Sequence, residues 1–104
     1  MIIQFRNLYL EKLFEGKTVP GKPKYRESVI VSFKKTILML QFLDSISELK
    51  KFKGLHFKAL KGTLKGYYSV RVNIQYRLIF SIEEDQSVMI KEILVIEDLS
   101  KHYE

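Results

Sequence analysis

The sequence predicts an α+β domain, with two N-terminal helices packed on one face of a curved, mostly antiparallel β-sheet in the order β-α-α-β-β-β. Three observations carry this. Apolar residues recur at helical spacing in two stretches before Asp44. From Tyr68 onward the period switches to two. The chain has 104 residues, one domain's worth, and 46% of them are hydrophobic, enough for a modest core and too many for a disordered chain.

Met1 to Phe5 is short and apolar and reads as a strand. Leu8, Leu10, Leu13 and Phe14 lie near helical spacing and Gly16 closes the segment, which predicts a helix from about Asn7 to Glu15. Val19 to Pro23 holds two prolines and a glycine and reads as a turn. From about Lys24 to Asp44, Ile30, Phe33, Ile37 and Leu40 form a stripe, with Lys34, Lys35 and Gln41 off it. That predicts a long helix with one buried face. The β-branched run Val29-Ile30-Val31 would suit a strand, but the segment is too long for one.

Ser45-Ile46-Ser47 reads as a polar turn, and Leu55, Phe57 and Leu60 lead to Gly62 and Gly66. Tyr68, Val70 and Val72 then alternate with Ser69, Arg71 and Asn73; Leu78, Phe80 and Ile82 alternate with Arg77, Ile79 and Ser81. These are two strands of a hairpin turning at Asn73-Ile74-Gln75. Glu84-Asp85-Gln86 reads as the next turn, and Val88 to Ile96 as a final strand.

There is no Cys, which removes disulfides, thiolate nucleophiles and Cys-based metal sites and agrees with a reducing cytoplasm. Arg6 and Glu11 interrupt the apolar start before a signal peptide could form. The most apolar stretch, Val29 to Leu43, is too short and too charged to span a bilayer, so no membrane partner is expected. The formal charge is +6. From Leu49 to Ile82 there is no acid, while Lys50, Lys51, Lys53, Lys58, Lys61, Lys65, Arg71 and Arg77 all fall there. After Glu83 acids dominate. A one-sign segment suits a polyanion, although a solvated basic face or an acidic protein partner fits it too.

Within this basic segment, Arg71 and Arg77 flank the hairpin and are expected on the same open sheet face, rimmed by Lys58, Lys61 and Lys65, where paired guanidinium donors can hold phosphates. The same alternation also fits arginines that merely face solvent. Tyr67, Tyr68 and Tyr76 interleave with the cations and could stack on unpaired bases, or simply reflect β-propensity. His56 and His102 are the only histidines and the cheapest neutral-range acid/base groups, yet a terminal or half-buried ring can equally be incidental. No metal-ligand cluster, P-loop, dinucleotide fingerprint or nucleophile elbow is present, and no cofactor is expected.

Three segments, Leu60-Lys61-Gly62, Lys65-Gly66-Tyr67-Tyr68-Ser69 and Tyr76-Arg77-Leu78, stand at the spacing found in the HigB branch of the RelE/ParE toxins. The chain resembles that branch over nearly its whole length, as a single domain spanning residues 1–104, most specifically from Gly54 to Phe80. The resemblance implies a RelE-like fold and a type II toxin that enters the ribosomal A site and cuts mRNA without a metal. It also implies a cognate antitoxin, of the helix-turn-helix, HigA-like kind. In such chemistry a 2′-OH attacks the adjacent phosphate, a base takes its proton, cations stabilise the phosphorane and an acid protonates the leaving 5′-oxygen.

By resemblance, Arg77 stabilises charge at the scissile phosphate. Lys58 stands where many relatives have a functional His; it can neutralise phosphate, but a lysine near its usual pKa of about 10.4 is a poor base at neutral pH. His56, two positions away on what would be the same strand face, is a candidate substitute. Leu99 and Ser100 stand where the relatives have Tyr and His; His102 and Tyr103 offer those residue types displaced and in reversed order, as base and as acid or stacker. Lys61, Lys65, Arg71 and Tyr76 would bind RNA. Two other readings share the fold: a ParE-like, gyrase-binding toxin that is no nuclease, and a basic adaptor that binds RNA without cutting it.

Overall fold

The computed structural model describes residues 1–85 and 91–101. In chain order the elements are β1 (Ile2–Phe5), α1 (Leu8–Phe14), α2 (Glu27–Phe42), the short α3 (Ile46–Leu49), a 3₁₀ turn (Lys53–Leu55), β2 (Lys58–Ala59), a second 3₁₀ turn (Gly62–Leu64), β3 (Tyr68–Arg71), β4 (Tyr76–Asp85) and β5 (Lys91–Lys101). The strands form one sheet in the order β1-β5-β4-β3-β2. Every pairing is antiparallel except β1 with β5. The predicted α+β layout holds, with additions at two points.

Asn7 caps α1: its side chain accepts a hydrogen bond from Leu10 N, satisfying one of the amides that a helix start leaves unpaired. In α2, Phe33, Ile37 and Leu40 of the predicted stripe are fully buried, Ile30 is half-buried, and Val29 and Thr36 complete the inward face. Thr36 costs little there because its hydroxyl donates to Ser32 O at 2.9 Å. The helix stripe meets Val70, Leu78, Phe80, Leu94, Ile96 and Leu99 from one side of the sheet, and Leu10 from α1 closes the cluster. Each such side chain contributes roughly 1.5–3 kcal/mol on burial.

Three expectations need correcting. Ser45-Ile46-Ser47 is the start of α3 rather than a plain turn: Ser45 accepts from Glu48 N, and Glu92 of β5 reaches Ile46 N at 2.9 Å. The proposed turn at Glu84-Asp85-Gln86 does not form at its first two residues, because β4 runs on to Asp85 in register with Lys91; Gln86 lies outside the described residues. The last strand does not stop at Ile96 but continues to Lys101; of its predicted start, Val88 to Ile90 lie outside the described residues. A register shift explains the misreading. Ile79 faces Asp98 while Phe80 faces Ile96, so Glu97 bulges out and interrupts the apolar run. The bulge is pinned from the N-terminal side, by Arg6 to Glu97 Oε1 at 2.6 Å and Asn7 Nδ2 to Glu97 O at 3.2 Å.

The hairpin turn is the predicted one. Asn73 Oδ1 accepts from both Gln75 N and Tyr76 N, at 2.9 and 2.7 Å, which holds the two strands in register. Among the described residues no helix is long and apolar enough to cross a membrane.

Candidate active site

Strand register decides which side chains meet. Arg77 lies directly opposite Arg71 on β3 and Ser100 on β5. Ser69 lies opposite Lys58 on β2 and Ile79 on β4. Because Val70 and Leu78, paired with each other, point into the core, these residues occupy the other face of the sheet, away from the helices.

Arg77 is not the outward-facing side chain that alternation suggests: it is only 7% exposed. Nε donates to Ser69 Oγ at 2.8 Å and Nη2 donates to His56 O at 2.5 Å. Ser69 is itself 1% exposed, so one fixed hydroxyl and one fixed carbonyl hold the guanidinium plane. A cation withdrawn from water this far acts through a low local dielectric and needs no reorganisation when an anion arrives.

Around it is a cleft of about 270 Å³. Lys58 from β2 and Lys101 from the end of β5 join Arg77 as its cations, Ser69 and Ser100 add hydroxyls, and Leu60, Leu64 and Ile79 form an aliphatic wall. No carboxylate lines it among the described residues. Three cations over a partly apolar floor are built for an anion attached to something less polar, such as a phosphodiester with its sugar. Arg71 strengthens the case. Half-buried, it sits opposite Arg77 in the ladder, and its Nε is buried with no hydrogen-bond partner among the described residues.

Of the other sequence-derived candidates, Lys61 and Lys65 are exposed on the turn that supplies Leu60 and Leu64, at the cleft's rim. His56 is not on the strand face of Lys58. It precedes β2, in a left-handed conformation (φ 47°) that only a few non-glycine residues adopt. That conformation aims its carbonyl at Arg77, and His56 is not among the residues lining the cleft. Tyr76 is on the opposite face from Arg77, edge-on to Tyr25 with ring centroids 5.6 Å apart. Tyr68 likewise packs inward, against Phe57 and Phe80. His102 and Tyr103 lie outside the described residues.

Sequence reasoning missed Ser69, Ser100, Lys101 and Tyr25. The Tyr25 hydroxyl donates to Leu99 O at 2.8 Å, fixing the strand end that carries Ser100 and Lys101. Burial, helped by Asp98 and the neighbouring tyrosines, pushes the Tyr25 phenol up to about 12. The fold therefore favours the neutral phenol. The stability Tyr25 contributes is complete below pH 10 and is lost as pH rises towards 12. Tyr25→Phe is expected to flatten the fall in stability over that window in urea titrations; an unchanged slope would assign it to other groups.

A family model described as the RelE-like toxin of the type II toxin-antitoxin system HigB matches residues 3–93. The match ends before Ser100 and Lys101. Toxin HigB-1 of Vibrio cholerae is 36% identical over 85 residues, covering 77% of this chain and 82% of that toxin. Among solved structures, a YoeB/ParE toxin from Agrobacterium tumefaciens superposes with a TM-score of 0.56 at 15% identity, over 99% of this chain and all of the other. A YoeB-YefM complex from Staphylococcus aureus superposes with a TM-score of 0.51 at 22% identity, over 99% and 98% of the two chains. At those identities the two structures bear on the fold alone.

Proposed function

Because this chain belongs to the HigB-like toxins of the RelE/ParE superfamily, toxins of type II toxin-antitoxin systems with a cognate antitoxin as partner, we propose that it is a ribosome-dependent mRNA endoribonuclease. The observation that carries the reading is the cationic cleft, lined by no carboxylate among the described residues, with a buried Arg77 in its floor anchored on Ser69 and His56. In the reaction, the 2′-oxygen of a nucleotide bonds to its own 3′-phosphorus and the bond from phosphorus to the next 5′-oxygen breaks. The products are a 2′,3′-cyclic phosphate and a free 5′-hydroxyl. Arg77 stabilises the extra negative charge on the phosphorane, with Lys58 and Lys101 beside it. Arg71, Lys61 and Lys65 hold flanking phosphates. We assign base and acid to His102 and Tyr103, which follow Lys101 in sequence.

Ser100 matters to that assignment. By family resemblance it occupies a position where relatives carry His, it faces Arg77 across the ladder, and no imidazole lines the cleft among the described residues. This favours one competing reading, a gyrase-directed toxin with the same fold and no nuclease chemistry. Inducing the chain in bacterial cells and mapping mRNA 5′ ends separates the two. The nuclease reading predicts breaks at in-frame codon positions; growth arrest with a DNA-damage response and no such breaks would replace it.

The role of His56 can be tested separately. His56→Gly keeps the carbonyl that holds Arg77 and suits the left-handed backbone, where a non-glycine residue costs about 1–2 kcal/mol. Cleavage by bound enzyme should stay within a few-fold of the parent, with stability unchanged or slightly higher. A loss of about a hundredfold in rate would instead put the imidazole in the chemistry.

A further inference from the structure

A second hollow, of about 500 Å³, lies between α3 and β2, walled by Lys50, Phe52, Lys53, His56 and Phe57. Its makeup differs from that of the cleft. Phe52 is 41% exposed, and among the described residues its ring stacks on no other. Phe57, by contrast, is held at the back: its ring lies 9° from parallel to Tyr68, and Lys50 Nζ sits 5.9 Å from its centroid. Lys51 adds a further exposed cation; the nearest acid in sequence, Glu48 of α3, is not among the residues that line the hollow. An accessible aromatic face among cations, lined by no acid among the described residues, is the combination that binds unpaired bases irrespective of sequence: the ring stacks a base and the ammonium groups follow the backbone. A docked protein helix would need apolar anchors at several turns, and here one ring is exposed.

We propose that this hollow is a second RNA-contacting site, seating one unpaired nucleotide with its base on the Phe52 ring and its phosphates on Lys50 and Lys53. It rests on the reading of the chain as an RNA-directed toxin and adds a site that the cleft does not include. The two are joined through His56, which lines the hollow while its carbonyl orients Arg77 in the cleft. RNA seated in the hollow thus touches the turn that sets the guanidinium.

The test is binding of a short unstructured RNA, about six nucleotides long, to the full chain by fluorescence anisotropy across a salt series. Phe52→Leu keeps an apolar side chain and removes the π-face; it should weaken binding about 5- to 150-fold, and Phe52→Tyr should restore it. Lys50→Gln with Lys53→Gln should lower the salt slope by about 1.4, the share of two phosphate contacts on a single strand. Unfolding midpoints establish that each variant is folded. Unchanged binding in Phe52→Leu and in the lysine pair overturns the proposal, as does an absence of RNA binding by the parent chain at low salt. RNA binding that is unaffected while antitoxin binding is lost also overturns it, and makes the hollow an antitoxin contact. Phe52-dependent binding without any cleavage on ribosomes keeps the site and refutes the nuclease reading; normal cleavage with Phe52-independent binding does the reverse.

Discussion

If the chain is the nuclease proposed above, Arg77→Ala is expected to lower the rate of mRNA cleavage by about a thousandfold, the scale on which one preorganised donor to a developing oxyanion acts. The geometry makes the loss severe, since no described side chain reaches the cleft floor with a cation as buried as Arg77. Arg77→Lys recovers only part of the rate, because a point charge on a flexible stem cannot use Ser69 Oγ and His56 O together as the planar fork does. The alanine variant is also less stable by about 1–3 kcal/mol, with the buried Ser69 hydroxyl and the His56 carbonyl left without their donor. Rate and stability therefore have to be measured on the same preparation. Near-parental cleavage by a folded Arg77→Ala protein would remove Arg77 from the chemistry.

Phe80→Ala destabilises the fold by about 3–5 kcal/mol, the usual cost of emptying a large aromatic site in a core. Phe80 has no exposed surface, sits on the strand next to β5, and lies 6.3 Å from both Phe57 and Tyr68, ring centre to ring centre. These three rings tie the turn that carries His56 to the sheet. Such a loss is a large share of the roughly 5–15 kcal/mol that holds a domain together. It should appear as a lower urea midpoint with an unchanged m-value. A shift worth less than about 1 kcal/mol would mean that the core closes over the gap.

The long helix and the hairpin were legible because periodicity is a local property. The stripe of Phe33, Ile37 and Leu40, and the alternation on either side of Asn73, survive whatever the rest of the chain does. The end of β5 was not legible because its cause is remote: Arg6 and Asn7 hold the bulge at Glu97, and nothing near Glu97 in sequence announces it. That bulge is why Leu99 is buried while Ser100 and Lys101 reach the cleft. β2, of two residues, is too short to show any period.

The site was legible in part for the same reasons. Family resemblance singled out Arg77 and Lys58, and both line the cleft. Their common face with Arg71 follows from strand alternation. Burial of Arg77 was not foreseeable, because it depends on a left-handed residue, His56, folding its carbonyl back over the sheet. Tyr76 was misplaced for a related reason. Its place among the cations suggested a base-stacking ring, whereas Tyr25, far away in sequence, supplies the ring against which it packs.

On the proposed function, this cleft cuts mRNA within the ribosome. The most direct measurement is single-turnover cleavage of one labelled mRNA, free in solution and bound to ribosomes with an empty A site, using the parent chain and Arg77→Ala. Cleavage of the ribosome-bound message alone, at the A-site codon, leaving a 2′,3′-cyclic phosphate and nearly lost in Arg77→Ala, is the predicted result. An intact ribosome-bound message under conditions where the parent chain still arrests growth would contradict it.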